Sequence, residues 1–295
     1  MTTLSHRHLD AEALAKLAGL QLRVKAAVEG TLSGLHRSPH HGSSVEFAEH
    51  KEYAPGDDLR HLDWKAFGKF ARYYIKRFEQ ETELKAYLML DCSGSMGYGA
   101  PLTKLEYGSV LLASLAYFLN RQGDQPGLLA YAEKVKTYVP PRARSEHIAE
   151  ILRSLEELRP EGGTDTALAV GSLIEVIGHR TLTVVISDLF DERADALRLL
   201  RRLRARRHQV VLFHLLHPDE LELPFHEVTL FESMEDSRAV LVDPGGIRKA
   251  YLHELKGFLD RTRQTCREAE IEYHQISCAE PVHEVLLRFL SRGKR

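Results

Sequence analysis

The chain has 295 residues, 43% of them hydrophobic, enough to bury a core in one large domain or two small ones. Lys and Arg (40) nearly balance Asp and Glu (42), so no global field marks a binder of nucleic acid or of a membrane surface. The first ten residues hold no apolar run, and no stretch approaches the roughly 20 apolar residues of a membrane span. Cys92, Cys266 and Cys278 form neither a CxxC pair nor a disulfide framework, and these features together predict a cytoplasmic protein.

In chain order, Leu9 to Leu35 carries Ala and Leu at helical spacing, with Asp10 placed to cap its start. Ser38 to Ser44 reads as a loop, Val45–His50 as a short strand and Pro55-Gly56 as the centre of a type II turn. Leu59–Phe70, with the only Trp, reads as helical or irregular, its Trp64, Phe67 and Phe70 as packing residues, and Ala71–Gln80 as a second strand. We take residues 1–82 as a smaller N-terminal α+β region and 83–295 as a second domain.

Leu84 to Leu90 is an apolar run without polar alternation, which predicts a strand buried on both faces. Thr103–Gln122 predicts a helix that is apolar on more than one face. Pro126–Ala132 reads as a strand with Val135–Val139 antiparallel to it, and His147–Leu158 as a helix capped by Ser145. The pattern continues with a helix over Thr166–Ile177, a strand over Thr181–Ile186, an arginine-rich helix over Ala194–His208 and a strand over Gln209–Leu216. Leu221–Val242 is less regular and holds short strands. Gly246–Ala269, Glu272–Ile276 and Glu280–Ser291 close the chain as helix, strand and helix. This alternation predicts an α/β fold: a doubly wound, mainly parallel sheet with helices on both faces.

The strand ending at Leu90 runs straight into Asp91-Cys92-Ser93-Gly94-Ser95. Side chains two apart share one side of an extended chain, so Asp91, Ser93 and Ser95 converge beyond the strand's C-terminal end. That is where open α/β sheets bind ligands. Cys92 points the other way and reads as a buried, inert thiol. Gly162-Gly163-Thr164-Asp165 and Ser187-Asp188 carry more hard oxygens, and the two glycines let the backbone bring Thr164 close. Asp91, Ser93, Ser95, Thr164 and Asp188 together suit Mg2+, or Mn2+ in its place, some acting through water. We expect no catalysis. Neither serine sits in a G-x-S-x-G elbow, and Ser93 stands where a second acid would assist a phosphoaspartyl nucleophile. The 16 histidines include no HExxH pair, and Arg198, Arg201, Arg202, Arg204, Arg206 and Arg207 read as a solvated helix face.

Asp91-x-Ser93-x-Ser95, followed by Thr164 and Asp188 on an alternating α/β chain, resembles the metal-ion-dependent adhesion site (MIDAS) of von Willebrand factor type A (vWA) domains. Upstream, His36-Arg37-Ser38-Pro39, Gly42, Glu46-Phe47, Glu49-His50, Tyr53, Pro55-Gly56-Asp57-Asp58-Leu59-Arg60 and Asp63-Trp64 resemble the hallmark of the domain of unknown function 58 family. Its bacterial and archaeal members place that segment directly before a type A domain. The resemblance spans residues 30–280 and implies a vWA/Rossmann-like fold. It implies that Ser93, Ser95 and Thr164 are hydroxyl ligands of a divalent ion, with Asp91 and Asp188 binding directly or through water. One coordination position stays open for a partner's Asp or Glu. The resemblance further implies a protein-interaction module working with a MoxR-type AAA+ ATPase in chaperone-like or complex-assembly tasks. The chain itself has no GxxxxGK[ST] loop, so nucleotide energy would come from that partner. One departure is that Leu189-Phe190 follow Asp188, where many type A domains have Gly; this would narrow access or set hydrophobic contact beside the ion. Two other readings compete: a metal-assisted phosphohydrolase, and a scaffold that binds through the N-terminal region or the arginine helix without metal.

Overall fold

The computed structural model describes residues 11–37, 50–52, 74–76, 84–144, 146–178, 180–190 and 196–292. Contacts divide the chain into two compact units, His36–Thr82 and Met1–Leu35 with Glu83–Arg295. In the first unit, β1 (His50–Glu52) and β2 (Tyr74–Lys76) pair antiparallel, with Lys51 opposite Ile75. The rest of the segments expected as strands there, the Pro55-Gly56 turn, Trp64, Phe67 and Phe70 lie outside the described residues, as does the Ser145 cap.

The second unit is built on a six-stranded sheet. Its strands are β3 (Lys85–Asp91), β4 (Gln125–Tyr131), β5 (Val135–Val139), β6 (Leu182–Ser187) and β7 (Gln209–Leu216); then, after the separate hairpin of β8 (Thr229–Glu232) and β9 (Ala239–Val242), β10 (Glu272–Ser277). The order is β10-β7-β6-β3-β4-β5, parallel throughout except where β5 meets β4. The helices are α1 (Ala11–Arg37), α2 (Lys104–Arg121), α3 (Glu146–Glu156), α4 (Thr166–Val176), α5 (Ala196–Ala205), α6 (Pro218–Glu222), α7 (Pro244–Glu268) and α8 (Val282–Arg292).

Strand β3 shows why the sheet needs helices on both sides. Ala86, Leu88 and Leu90 face one hydrophobic cluster, with α1, α2, α3 and α8. Tyr87 and Met89 face another, with α4, α5 and the C-terminal part of α7. Both faces are covered, so the strand carries no polar alternation. The expected doubly wound architecture is what the chain adopts.

Helix α1 belongs to this unit. Leu20, Val24, Ala27 and Val28, spaced for one helix face, are buried in the first cluster. Burying the Leu and the two Val side chains contributes on the order of 5 kcal/mol before opposing entropy. The division read at residue 82 put this helix with the N-terminal region. By contact it stands with the sheet instead, because its apolar stripe needs a surface to cover. Among the described residues no helix is long and apolar enough to cross a membrane.

The topology also places a crevice at the strands' C-terminal ends. From β3 the chain winds outward through β4 and β5, then returns to β6 on the other side of β3 and winds outward again through β7 and β10. The order therefore reverses between β3 and β6. At such a switch point the loops leaving two adjacent strands diverge, opening a crevice beyond their C-terminal ends.

Candidate metal centre

Asp91 ends β3 and Ser187-Asp188 ends β6, so the switch point brings them together. Asp91 Oδ1 accepts from the Ser93 backbone N–H at 2.9 Å, which tightens the loop. Its Oδ2 accepts from the Ser187 hydroxyl at 2.7 Å, across the two strands. Asp91, Ser93 and Asp188 are fully buried, whereas Ser95 and Thr164 are half-buried. The Ser93 and Ser95 hydroxyl oxygens lie 3.2 Å apart. Neighbouring ligands of an octahedral Mg2+, each about 2.1 Å from the ion, stand about 3 Å from one another. The pair therefore has the spacing of two adjacent ligands. Cys92 turns into the core, where its thiol donates to the Tyr131 carbonyl at 3.0 Å.

The Thr164 loop is stitched to the first loop through the backbone. Gly94 N–H donates to the Gly162 carbonyl at 2.8 Å, and Glu161 N–H to the Cys92 carbonyl at 3.1 Å. Gly162 has φ +72°, a conformation open to glycine at little cost. Asp165, next to Thr164, caps α4 by accepting from Leu168 N–H at 2.7 Å. Its role is thus structural, and Thr164 is the oxygen this loop offers to the site.

After Asp188 the backbone turns left-handed. Leu189 has φ +57°, a conformation that costs a residue with a Cβ about 1 kcal/mol. Burial of its side chain beside α4 and α5 offsets that cost, and Leu189 N–H donates to Ser187 Oγ at 2.9 Å. The chain thus keeps a glycine-type turn without glycine. Phe190 stacks on Phe258, ring centroids 6.3 Å apart, at the rim of a cavity of about 480 Å³ that Ser95 also lines. An aromatic contact therefore sits at the mouth of the crevice.

Three side chains that sequence reasoning did not single out complete the surroundings, Lys104, Glu220 and Glu235, beside Ser187, which it placed only in the Ser187-Asp188 loop. Thr103 and Glu106 form a capping box that starts α2 and sets Lys104 at its first position. The Lys104 ammonium, itself fully buried, donates to Asp188 Oδ2 at 2.7 Å and to Glu220 at the start of α6. Burial alone would lower the Lys104 pKa, but Asp188 and then Glu220 outweigh it, and the net shift is upward. The available signal was positional. Lys104 shares the stripe of Gly108, Leu111 and Leu115 on a buried helix face, where a charge needs a partner. Glu235, from the turn of the β8–β9 hairpin, accepts from the Thr164 hydroxyl at 3.2 Å and also from Ser95. No local pattern places that turn near the site.

The electrostatics favour a cation. Burial, and then the neighbouring Asp188 carboxylate, push the Asp91 carboxyl up to about 7, although Ser93 and Ser187 donate to it. Glu235 is shifted upward by burial too, against the hydroxyls of Ser95 and Thr164. Lys104 meets Asp188 and Glu220, while Asp91 is met by neutral donors. A divalent ion among these oxygens would offset the remaining repulsion, so the donor set fits Mg2+. Burial lowers the His214 pKa to about 4, leaving a neutral ring that holds the Asp188 carbonyl at 2.9 Å. Among the described residues no group of three or more His, Cys, Asp or Glu side chains could hold a metal by itself. This set is instead rich in hydroxyls.

Residues 49–257 match the family described as "Protein of unknown function DUF58". The chain belongs to the DUF58 family. It is similar to the uncharacterized protein Rv1480 of Mycobacterium tuberculosis, 31% identical over 219 residues, which span 73% of this chain and 68% of that one. The same figures hold for Mb1516 of Mycobacterium bovis. Among solved structures, this DUF58 chain is similar to BatB from Bacteroides thetaiotaomicron, with 16% identity, a TM-score of 0.47 and coverage of 71% of this chain and 98% of that one. It is also similar to an aerotolerance-related membrane protein from Bacteroides fragilis, with 18% identity, a TM-score of 0.49 and coverage of 71% and 97%. For the SpRpn10 VWA domain the identity is 9%, the TM-score 0.40 and the coverage 69% and 93%.

Proposed function

We propose that this DUF58 protein is a non-catalytic, metal-dependent protein-interaction module. Asp91, Ser93, Ser95, Thr164 and Asp188 would hold Mg2+, or Mn2+ in its place. When bound, such an ion supplies a positive charge that a carboxylate from a partner protein can ligate. The observation that carries this reading is the convergence at the β3–β6 switch point. Two hydroxyls 3.2 Å apart stand beside two fully buried carboxylates there, as a hard-ion site requires. The chain's own groups do the positioning. Ser187 and the Ser93 N–H orient Asp91, Lys104 orients Asp188, and the Gly162 turn holds Thr164 against the first loop.

The resemblance at the hallmark segment adds the kind of partner, a MoxR-type AAA+ ATPase presenting an Asp or Glu. The test is capture of that purified ATPase by the immobilised full chain. We expect capture with Mg2+, and loss of capture with EDTA or in Ser93→Ala/Ser95→Ala. Equal capture under all three conditions would move the contact to another surface.

A further inference from the structure

The β8–β9 hairpin stands directly over the metal centre. None of residues 229–242 is buried, so the hairpin adds nothing to the core. A two-stranded ribbon of this kind is marginal by itself. Its turn nevertheless sits tightly on the ligand loop: a Cβ at Gly94 would lie 1.9 Å from the Met234 carbonyl oxygen. Glycine at 94 is what permits that approach. The turn is internally held. Ser233 N–H donates to the Arg238 carbonyl at 2.8 Å, and the Ser233 hydroxyl accepts from Glu235 N–H and Asp236 N–H. So built, it delivers one carboxylate, Glu235, to the hydroxyls of Ser95 and Thr164. Those are the two half-buried members of the ligand set, the ones on its open side.

On the metal-site reading given above, we propose that Glu235 is an internal ligand of the ion: it takes the coordination position a partner's carboxylate would fill, and the hairpin lifts before a partner binds. The chemistry matches what that position requires, a carboxylate arriving from outside the strand-end loops. Asp188, although paired with Lys104, still adds to the upward shift of Glu235, and a cation between the two carboxylates would relieve that repulsion. Because no side chain of the hairpin is fully buried, opening it exposes no part of the core, as local opening requires. Because it is tethered, Glu235 competes at an effective concentration of the order of mM, so a partner must bind tightly or in several places.

The test uses the full chain as wild type, Glu235→Gln and Ser93→Ala/Ser95→Ala. Mn2+ is the probe, with affinity and hydration read by electron paramagnetic resonance and water relaxation, and hydrogen exchange followed across residues 229–242. In wild type, Mn2+ should slow exchange in the hairpin by about tenfold relative to EDTA. Glu235→Gln should abolish that protection, bind Mn2+ about tenfold more weakly and leave it with an additional water. Suppose instead that Ser93→Ala/Ser95→Ala loses Mn2+ while Glu235→Gln matches wild type, and the wild-type hairpin exchanges alike with and without Mn2+. Then Glu235 is no ligand and the metal site stands without it. If wild type itself binds no Mn2+, the metal site and its internal ligand fall together.

Discussion

Lys104 Nζ lies 2.7 Å from Asp188 Oδ2, and both side chains are fully buried. A buried ion pair of this kind is weak support for stability when intact, but breaking it strands a charge. Lys104→Met would leave Asp188, with Glu220 beside it, lacking the ammonium both now bind. We expect a loss of about 3–5 kcal/mol in urea unfolding with EDTA present. Mg2+ should recover part of this by neutralising Asp188 from the other side. An unchanged unfolding midpoint would mean that Lys104 does not hold Asp188 in place.

Gly94→Ala tests the packing of the hairpin turn on the Asp91–Ser95 loop. The added methyl collides with the Met234 carbonyl, a backbone atom, so the hairpin must move. Hydrogen exchange across residues 229–242 should accelerate, with exchange in β3 and β6 unchanged. Retained protection in the hairpin would contradict this geometry.

The assignment of α1 to the sheet unit is tested by two nearby leucines. Leu20 is 3% exposed and Leu22 is 67% exposed. Leu20→Ala should cost about 2–4 kcal/mol, whereas Leu22→Ala should stay within about 0.5 kcal/mol. Equal effects would place α1 off the core.

All three thiols should be slow to react in the native protein. Burial pushes Cys92 and Cys278 up to about 12 and Cys266 up to about 11, so almost no thiolate exists at pH 8. A disulfide reagent at pH 8 should label none of them until guanidinium unfolds the chain. Rapid labelling of Cys92 in the native state would mean that the Asp91–Ser95 loop opens.

The parts of this site that were readable in advance share one property: they follow from local order. Asp91 and Ser93 follow one another in extended chain and Asp188 closes a β-branched strand, so period and chain direction placed them, whereas Ser95 lies in the 3-10 turn Gly94–Gly97 and reaches the Ser93 hydroxyl through that turn. The parts that were not readable depend on distant pairing. Lys104 and Glu220 are 116 residues apart, and Thr164 and Glu235 are 71 apart. Neither meeting leaves a periodic trace. Helix α1 was legible as a helix, but what its stripe covers is a tertiary fact. The left-handed turn at Leu189 was hidden for another reason: a leucine occupies a conformation that ordinarily announces itself with glycine. The arginine face of α5 was read as solvated, and Arg201 and Arg204 do form partly exposed pairs with Glu268 and Glu270, contacts that add little stability.

The most direct test of the metal centre is calorimetric titration of EDTA-stripped full chain with Mn2+ and Mg2+, beside Ser93→Ala/Ser95→Ala, with circular dichroism confirming that both proteins are folded. The account predicts one ion bound per wild-type chain and a loss of affinity of at least about tenfold in the double variant. At about 100 times the dissociation constant, the ion should also stabilise wild type by about 2.7 kcal/mol. Identical titrations of two folded proteins, or no binding to wild type, would contradict the claim that these strand-end oxygens hold a metal.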